Sequence, residues 1–360
     1  YIIPDRVVLE DLIMKNKNSL EPNELSEETK VSMRTRIITA LVLLAICGPC
    51  LFLGGWPFFL LSVVLSLLVS YELVHVFSLK TRFKYLIHLV VTLLVLAFIY
   101  WIFIKNNLRN DSILKDSNVL YKGFNNLSVS TVLILVTAGA LFGISFICEE
   151  LSPSKVFYLI AMIIVVSLCF QSFLYLRFSP NEAFAQQIKN VLNEEAANAY
   201  VNSPVFKYAQ SSFLMIYVLI GTMFSDIGAY FVGVLFGKHK VNPRISPKKT
   251  WEGFYGGIAI SFVCSTLFAL ITSWCGLPIL PNLDHNHWYW ILLISALMPI
   301  FANLGDFTFS AIKRGYGIKD FSNILPGHGG ILDRLDSVLF VSGFVAVMLI
   351  FINNGWNFLI

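Results

Sequence analysis

Charge is scarce in this sequence. Only 13% of its 360 residues are Asp, Glu, Lys or Arg, against about 25% in an ordinary soluble domain. Hydrophobic residues make up 56% and the mean hydropathy is +0.72. A chain of this length would otherwise suggest two or so soluble domains, and the shortage of charge excludes that. Disorder is excluded over most of the length, because disordered segments are poor in apolar residues. The six cysteines lie in or at the ends of apolar runs, so they do not form the polar-loop framework of a disulfide-rich secreted domain. Cys47-Gly48-Pro49-Cys50 has the spacing of a dithiol redox motif. It falls inside an apolar run rather than at a strand-to-helix junction, and reads as coincidence. A net charge of only +4 argues against nucleic acid as a partner. There is no fixed-period repeat. What remains is an all-α polytopic membrane protein.

About 20 apolar residues are needed to cross the hydrocarbon as a helix. Nine runs meet or approach this: 37–53, 57–77, 85–104, 130–148, 156–176, 212–236, 254–275, 288–304 and 337–355. They are uniformly apolar rather than alternating, so they predict helices and not barrel strands. With the N-terminus inside, 19 of the 26 lysines and arginines fall on inside segments and seven on the outside loops 105–129 and 177–211. Positive-inside bias therefore predicts a cytoplasmic N-terminus and an outside C-terminus. The expected organisation is a cytoplasmic segment 1–36, a membrane-anchoring part 37–211, and a catalytic part 212–360 with cytoplasmic loops 237–253 and 305–336. Residues 18–30 read as a mobile polar tail and 181–200 as a short helix in an outside loop. Because the sequence begins at Tyr1, a longer gene product is expected.

Polar chemistry is concentrated in the last four spans. Asp226 lies ten residues before the end of its span, about 15 Å deep at 1.5 Å per residue. An ionisable group there is costly and marks function. Gly228, Gly233 and Gly237 surround it, and suit close approach of a ligand as well as of a neighbouring helix. Downstream, Ser246-Pro247 reads as the N-cap and first residue of the next helix. Its free N–H groups, with Lys248 and Lys249 in the same turn, suit a phosphate. Thr250 and Glu252 follow, and Glu252 is placed to hold Lys249 or a ligand hydroxyl.

The second cluster spans 305–336. Asp333 and Asp336, three apart, share one helical face, and Asp306 joins them as a third carboxylate. Oxygen ligands without cysteine favour Mg²⁺ over zinc. Lys313, Arg314, Lys319 and Arg334 are interleaved with the acids and suit phosphate. Pro326-Gly327-His328-Gly329-Gly330 makes a tight turn with little side chain, where backbone can approach a phosphate. His328 reads as a turn anchor or phosphate donor ahead of a general base. Pro299, Asn303 and Gly305 predict a bent or broken eighth span.

The pattern Ser310-x2-Lys313-Arg314-x4-Lys319-Asp320-x-Ser322-x3-Pro326-x-His328-Gly329-Gly330-x2-Asp333-Arg334-x-Asp336 resembles the signature of the phosphatidate cytidylyltransferase (CDP-diacylglycerol synthase) family. The run SDIGAYFVG…FGKHK…SPKKTWEG resembles the same family, and the two motifs cover roughly residues 221–340. The wording LPGHGGILDRLDS is closer to its bacterial branch. The resemblance implies transfer of CMP from CTP to phosphatidate in phospholipid biosynthesis, with release of pyrophosphate. It implies Mg²⁺ as cofactor, with room for a second cation (K⁺ or another Mg²⁺), and a homodimer. Asp306, Asp333 and Asp336, joined by Asp226, are the expected metal ligands. Lys313, Arg314 and Lys319 complete the catalytic set. Asp226, Tyr230, Lys248, Lys249, Thr250, Glu252, Asp320, His328, Gly329, Gly330 and Arg334 are the expected substrate-binding residues. A bacterial plasma membrane is favoured, with the endoplasmic reticulum as alternative, and the site faces the cytoplasm.

Competing readings are a CTP-dependent lipid kinase, an ether-lipid cytidylyltransferase and, below these, a transporter. A transporter would distribute its polar groups along a path through the bilayer; here they gather on one side. Among lesser features, Glu72 and His75 read as side chains snorkelling to the interface, with a supporting role in the site as the alternative. His88 reads as a helix–helix hydrogen-bond donor, and Gly139 with Gly143 as a packing motif.

Overall fold

A computed structural model describes residues 27–79, 83–110 and 129–354. The polar tail expected at 18–30 lies outside them up to residue 26, as does most of the 105–129 loop. The helices are α1 Glu27–Leu53, α2 Gly55–His75, α3 Lys84–Asn110, α4 Val129–Ile147, α5 Pro153–Val191, α6 Glu194–Val201, α7 Pro204–Tyr208, α8 Phe213–Phe236, α9 Trp251–Trp274, α10 Trp288–Gly315 and α11 Leu332–Asn354. Among the described residues the one sheet is a two-stranded antiparallel ribbon, β1 Lys240–Asn242 with β2 Ser246–Thr250.

Within the described residues, each of the nine apolar runs lies on a helix over nearly its whole length. Six helical segments are long and apolar enough to cross a membrane: Gly55–His75, Pro153–Val191, Pro204–Phe236, Trp251–Trp274, His285–Gly315 and Leu332–Asn353. Shorter apolar segments cover Ile37–Leu53, Lys84–Tyr100 and Thr131–Ile147. The chain is a helical membrane protein. Its outward-facing side chains are accordingly apolar, with Leu44, Val234, Leu235 and Ile271 all exposed. Its continuous core runs from Phe58 and Leu73 on α2 to Leu339 and Leu349 on α11.

Four local expectations change. The 39-residue α5 extends through residue 191, about 58 Å at 1.5 Å per residue, well beyond a ~30 Å hydrocarbon layer. Residues 181–191 are thus the end of that helix, not part of a separate one. The separate helix is α6, where the Ala196 N–H donates to the Asn193 side chain at 2.7 Å. Ser246 does not cap a helix: residues 246–250 are strand β2, with Asn242 opposite Ser246 and Lys240 opposite Thr250. Pro247 is tolerated because a two-stranded ribbon has only edge strands. The cap of α9 is Thr250, whose Oγ1 accepts the Gly253 N–H at 3.2 Å. Helix α10 is continuous through Pro299 rather than broken. Finally, a Cβ added at Gly139 or Gly143 would meet nothing within 4 Å, so this pair packs no helix among the described residues.

Glycine packing occurs instead where α8 crosses α9. A Cβ on Gly257 would stand 2.5 Å from the Ser225 carbonyl oxygen, and one on Gly253 would stand 2.6 Å from that of Ala229. Only glycine lets these backbones meet. Gly228 belongs to the same crossing, since its Cβ would lie 3.1 Å from the Gly256 carbonyl oxygen.

Arg177 staples the first hairpin to α5. Its guanidinium, 2% exposed, donates to the carbonyls of Leu51 (2.8 Å), Phe52 (3.4 Å) and Ser211 (3.3 Å). Leu51 and Phe52 are in the last turn of α1, where unpaired carbonyls and the helix dipole favour a cation. Gly54 must be glycine: its φ is +60°, and a Cβ would overlap the guanidinium. Arg177→Met strands these carbonyls and is expected to cost about 3 kcal/mol, read as a lowered thermal midpoint in detergent. An unchanged midpoint would show that the staple carries no stability.

Candidate active site

A cavity of about 420 Å³ opens where α8, the ribbon and α9 meet α10. Asp226, Tyr230, Lys248, Lys249 and Thr250, all expected from the sequence, line it together. The cavity therefore joins one deep carboxylate, two lysines and an aromatic ring. Sequence reasoning missed Lys240, Phe254 and Phe307 in its wall and assigned Asn303 only to a helix bend. The buried Asn303, in the cavity wall, uses its amide nitrogen on Pro299 O at 2.8 Å and on Ser225 Oγ at 3.2 Å. Lys240 could have been found, since it lies within the same basic loop.

The ribbon sets the lysines. At its turn, Asn242 Oδ1 accepts the N–H groups of Arg244 (3.1 Å) and Ile245 (3.4 Å). At its base, Glu252 does not hold Lys249. It accepts the N–H groups of Lys238 (3.1 Å) and His239 (3.2 Å) and bonds the His239 ring at 2.6 Å. Lys249 pairs with Asp306 across the α10 boundary, and its ammonium lies 4.6 Å from the centre of the Phe307 ring.

The carboxylates fall into two environments. Asp226, Asp306 and Asp336 stand near enough to feel one another's charge, with Lys249 and Arg334 near Asp226 and Lys313 near Asp336. Asp336 is buried, and its Oδ1 accepts the Ser337 N–H at 2.7 Å. Asp333 faces elsewhere. It pairs with the buried Lys313 at 2.6 Å and accepts the N–H groups of Phe321 and Gly330, both at 2.9 Å. Among the described residues no three His, Cys, Asp or Glu side chains are close enough to hold a metal ion by themselves.

The loop between α10 and α11 is folded around backbone contacts. Leu325 and Gly329 exchange hydrogen bonds at 2.9 and 3.1 Å, Gly329 has φ +84°, and a Cβ there would stand 3.2 Å from the Asp320 carboxyl carbon. Arg334 donates to the His328 carbonyl at 2.9 and 2.6 Å, and Arg314 to that of Ile318 at 3.0 Å. His328 Nδ1 is buried without a hydrogen-bond partner. Lys319 and Asp320 are exposed on this loop. None of Lys313, Arg314, Lys319, Asp320, His328, Gly329, Gly330 or Arg334 lines the cavity.

Two upstream expectations also change. Glu72 is fully buried, not snorkelling; Ser322 Oγ donates to it at 2.6 Å, and the N–H groups of Ile331 and Leu332 donate at 2.7 and 2.8 Å. His88 donates to no helix among the described residues: both ring nitrogens lack a partner there, and the ring stacks on Tyr71 at 5.0 Å.

Fold and site together define a class: a helical membrane protein with a lysine-lined cavity between facing spans and a second polar cluster on the loop between α10 and α11. The sequence profile of the Cytidylyltransferase family matches residues 34–352, and the chain belongs to that family. It is 50% identical over 125 residues to a phosphatidate cytidylyltransferase of Bacillus subtilis, covering 35% of this chain and 43% of that one. It is 42% identical over 144 residues to one from Staphylococcus epidermidis, covering 40% and 49%. It is 38% identical over 166 residues to one from Mycobacterium leprae, covering 42% and 48%. The chain thus spans less than half the length of the curated relatives it matches.

Proposed function

We propose that the protein transfers CMP from CTP to phosphatidate, forming CDP-diacylglycerol and pyrophosphate. The observation that carries this is the cavity itself, lined by Asp226, Lys248 and Lys249 with Asp306 paired to Lys249, in a chain of the Cytidylyltransferase family. An oxygen of the lipid phosphate attacks the α-phosphorus of CTP. The bond from that phosphorus to the bridging oxygen breaks, and pyrophosphate leaves with the electron pair. A phosphate monoester is largely dianionic at pH 7, its second pKa being about 6, so no base is needed to activate it. The obstacle is repulsion between two polyanions, which positioned cations relieve.

Lys249, held between Asp306 and the Phe307 ring, binds the triphosphate with Lys248 and Lys240. Asn303 offers its carboxamide oxygen as an acceptor for the exocyclic amine of the base. Asp226, Asp306 and Asp336 are the carboxylates from which one or two would hold Mg²⁺ through oxygen alone. Such an ion is usually held by one or two carboxylates together with substrate phosphates, so a closed three-residue cage is not required. When bound, it neutralises charge on the phosphates. Asp333 ties Lys313 of α10 to the 316–331 loop through the Phe321 and Gly330 N–H groups. A chain inserted as nine spans with a cytoplasmic N-terminus places the ribbon and the 316–331 loop on the CTP side. The relatives being bacterial, the membrane proposed is a bacterial plasma membrane.

Incubation with CTP and a panel of acceptors tests the substrate class. Phosphatidate should be converted, while diacylglycerol and polyprenol should not. Conversion of diacylglycerol or polyprenol in place of phosphatidate would mean a lipid kinase. The ribbon gives a second test. Glu252→Gln loosens its base, and is expected to raise the KM for CTP about tenfold with kcat little changed, as loss of a ground-state contact does. An unchanged KM would remove the ribbon from nucleotide binding.

A further inference from the structure

We propose that Glu72 is a positioning residue for this reaction: from the N-terminal half, its carboxylate caps the helix that carries Asp333 and Asp336 and fixes where they stand. The inference rests on the cytidylyl-transfer reading for its kinetic consequence, though not for its geometry.

The first N–H groups of any helix lack partners within it. At the start of α11, two carboxylates take up the backbone donors. Asp333 accepts the Gly330 N–H, and Glu72 accepts those of Ile331 and Leu332 through its two different oxygens. Glu72 Oε1 also accepts from Ser322 Oγ at 2.6 Å. Ser322 neighbours Phe321, whose N–H goes to Asp333. One buried side chain therefore ties both ends of the signature loop and the start of α11 into a single unit. The fit leaves no slack: a Cβ on Gly330 would lie 2.6 Å from Glu72 Oε1.

A carboxylate with no exposure is costly in a membrane protein unless it is fully bonded. Three donors meet that cost, two of them at a helix N-terminus where negative charge is favoured. Glu72 is absent from the cavity wall, so it acts through α11. Other N-terminal contacts press the loop from the same side: Thr39 Oγ1 donates to the Pro326 carbonyl at 3.0 Å, and Phe77 and Tyr158 pack on Tyr316 at 5.5 and 4.9 Å. The N-terminal half is thus part of the active-site framework, beyond the anchoring role its hydrophobicity suggests.

Glu72→Gln keeps the shape but turns one acceptor into a donor facing an N–H group. In purified full-length chain, turnover is expected to fall about 100-fold, the scale of a 1 Å misplacement. The KM for CTP should stay within about threefold, because the cavity is not touched. Amide hydrogen exchange should quicken across 321–335 and stay unchanged in α8 and α9. Ser322→Ala, which removes one neutral donor, should fold and lose about tenfold in turnover with the same local exchange signature. Turnover within threefold of wild type in Glu72→Gln, or lost turnover with unchanged exchange at 321–335, would overturn the proposal. If Glu72→Gln does not fold, Ser322→Ala decides alone, and wild-type behaviour there overturns it. Wild-type protein without cytidylyl transfer would instead defeat the functional reading, and the exchange measurement would still decide the cap.

Discussion

Asp336→Asn is expected to reduce turnover by about 10³-fold or more in protein that inserts and folds normally. Asp336 is 7% exposed and, among the described residues, accepts from its neighbour Ser337 alone, while Asp306 and Asp226 add like charge beside it against the single Lys313. A carboxylate so placed works against the resting fold. Its neutral isostere should therefore hold or raise the thermal midpoint while removing the charge that the proposed chemistry uses. A residue kept for packing would show the reverse, with midpoint and activity falling together. Asp333→Asn should behave differently. It breaks the Lys313 pair and weakens two backbone contacts, so turnover and the midpoint should both drop. Near-normal turnover in Asp336→Asn would remove it from the catalytic set.

Lys249→Met is expected to lower kcat/KM for CTP by about 10²- to 10³-fold, as loss of a full charge from a partly desolvated phosphate site does. Lys249 is three-quarters buried, pairs with Asp306 and lies over Phe307, so the charge is fixed before the nucleotide arrives. Lys248 is exposed in the same wall; its replacement should cost about tenfold and be offset more readily by changes in salt. Arginine at 249 should restore only part of the loss, because its planar fork does not fit a site shaped for a point charge. Steady-state kinetics over a range of CTP checks both. A Lys249→Met variant within threefold of wild type would place the triphosphate elsewhere.

The apolar runs and the signature were legible because they depend on composition and spacing. Asp226, Lys248 and Lys249 were legible for a related reason, since an ionisable group in a span and a pair of lysines at its end are conspicuous against an apolar background. The remainder depends on long-range contacts. Glu72 near the end of a span has the sequence environment of a snorkelling side chain, and only the fold brings Ile331 and Leu332 to it. Ser246-Pro247 is a good helix start locally, but pairing with β1 takes that segment into a ribbon and moves the cap to Thr250. Gly139 and Gly143 have the packing spacing without the partner, whereas the close crossing at Gly253 and Gly257 lies between two helices whose approach no single run announces. The separation of Asp333 from Asp336 has the same origin: three residues apart on one helix, they are distinguished by the Lys313 ion pair and the Phe321 and Gly330 N–H groups, all of which go to Asp333.

The central claim, nucleophilic attack by the lipid phosphate on the α-phosphorus, is tested most directly with purified protein, phosphatidate, Mg²⁺ and CTP labelled at either the α- or the γ-phosphorus. The predicted result is α-label in the lipid product, γ-label in pyrophosphate, equal amounts of the two, and loss of both on adding a chelator. Transfer of the γ-label to lipid, with CDP released, would contradict it and identify a kinase.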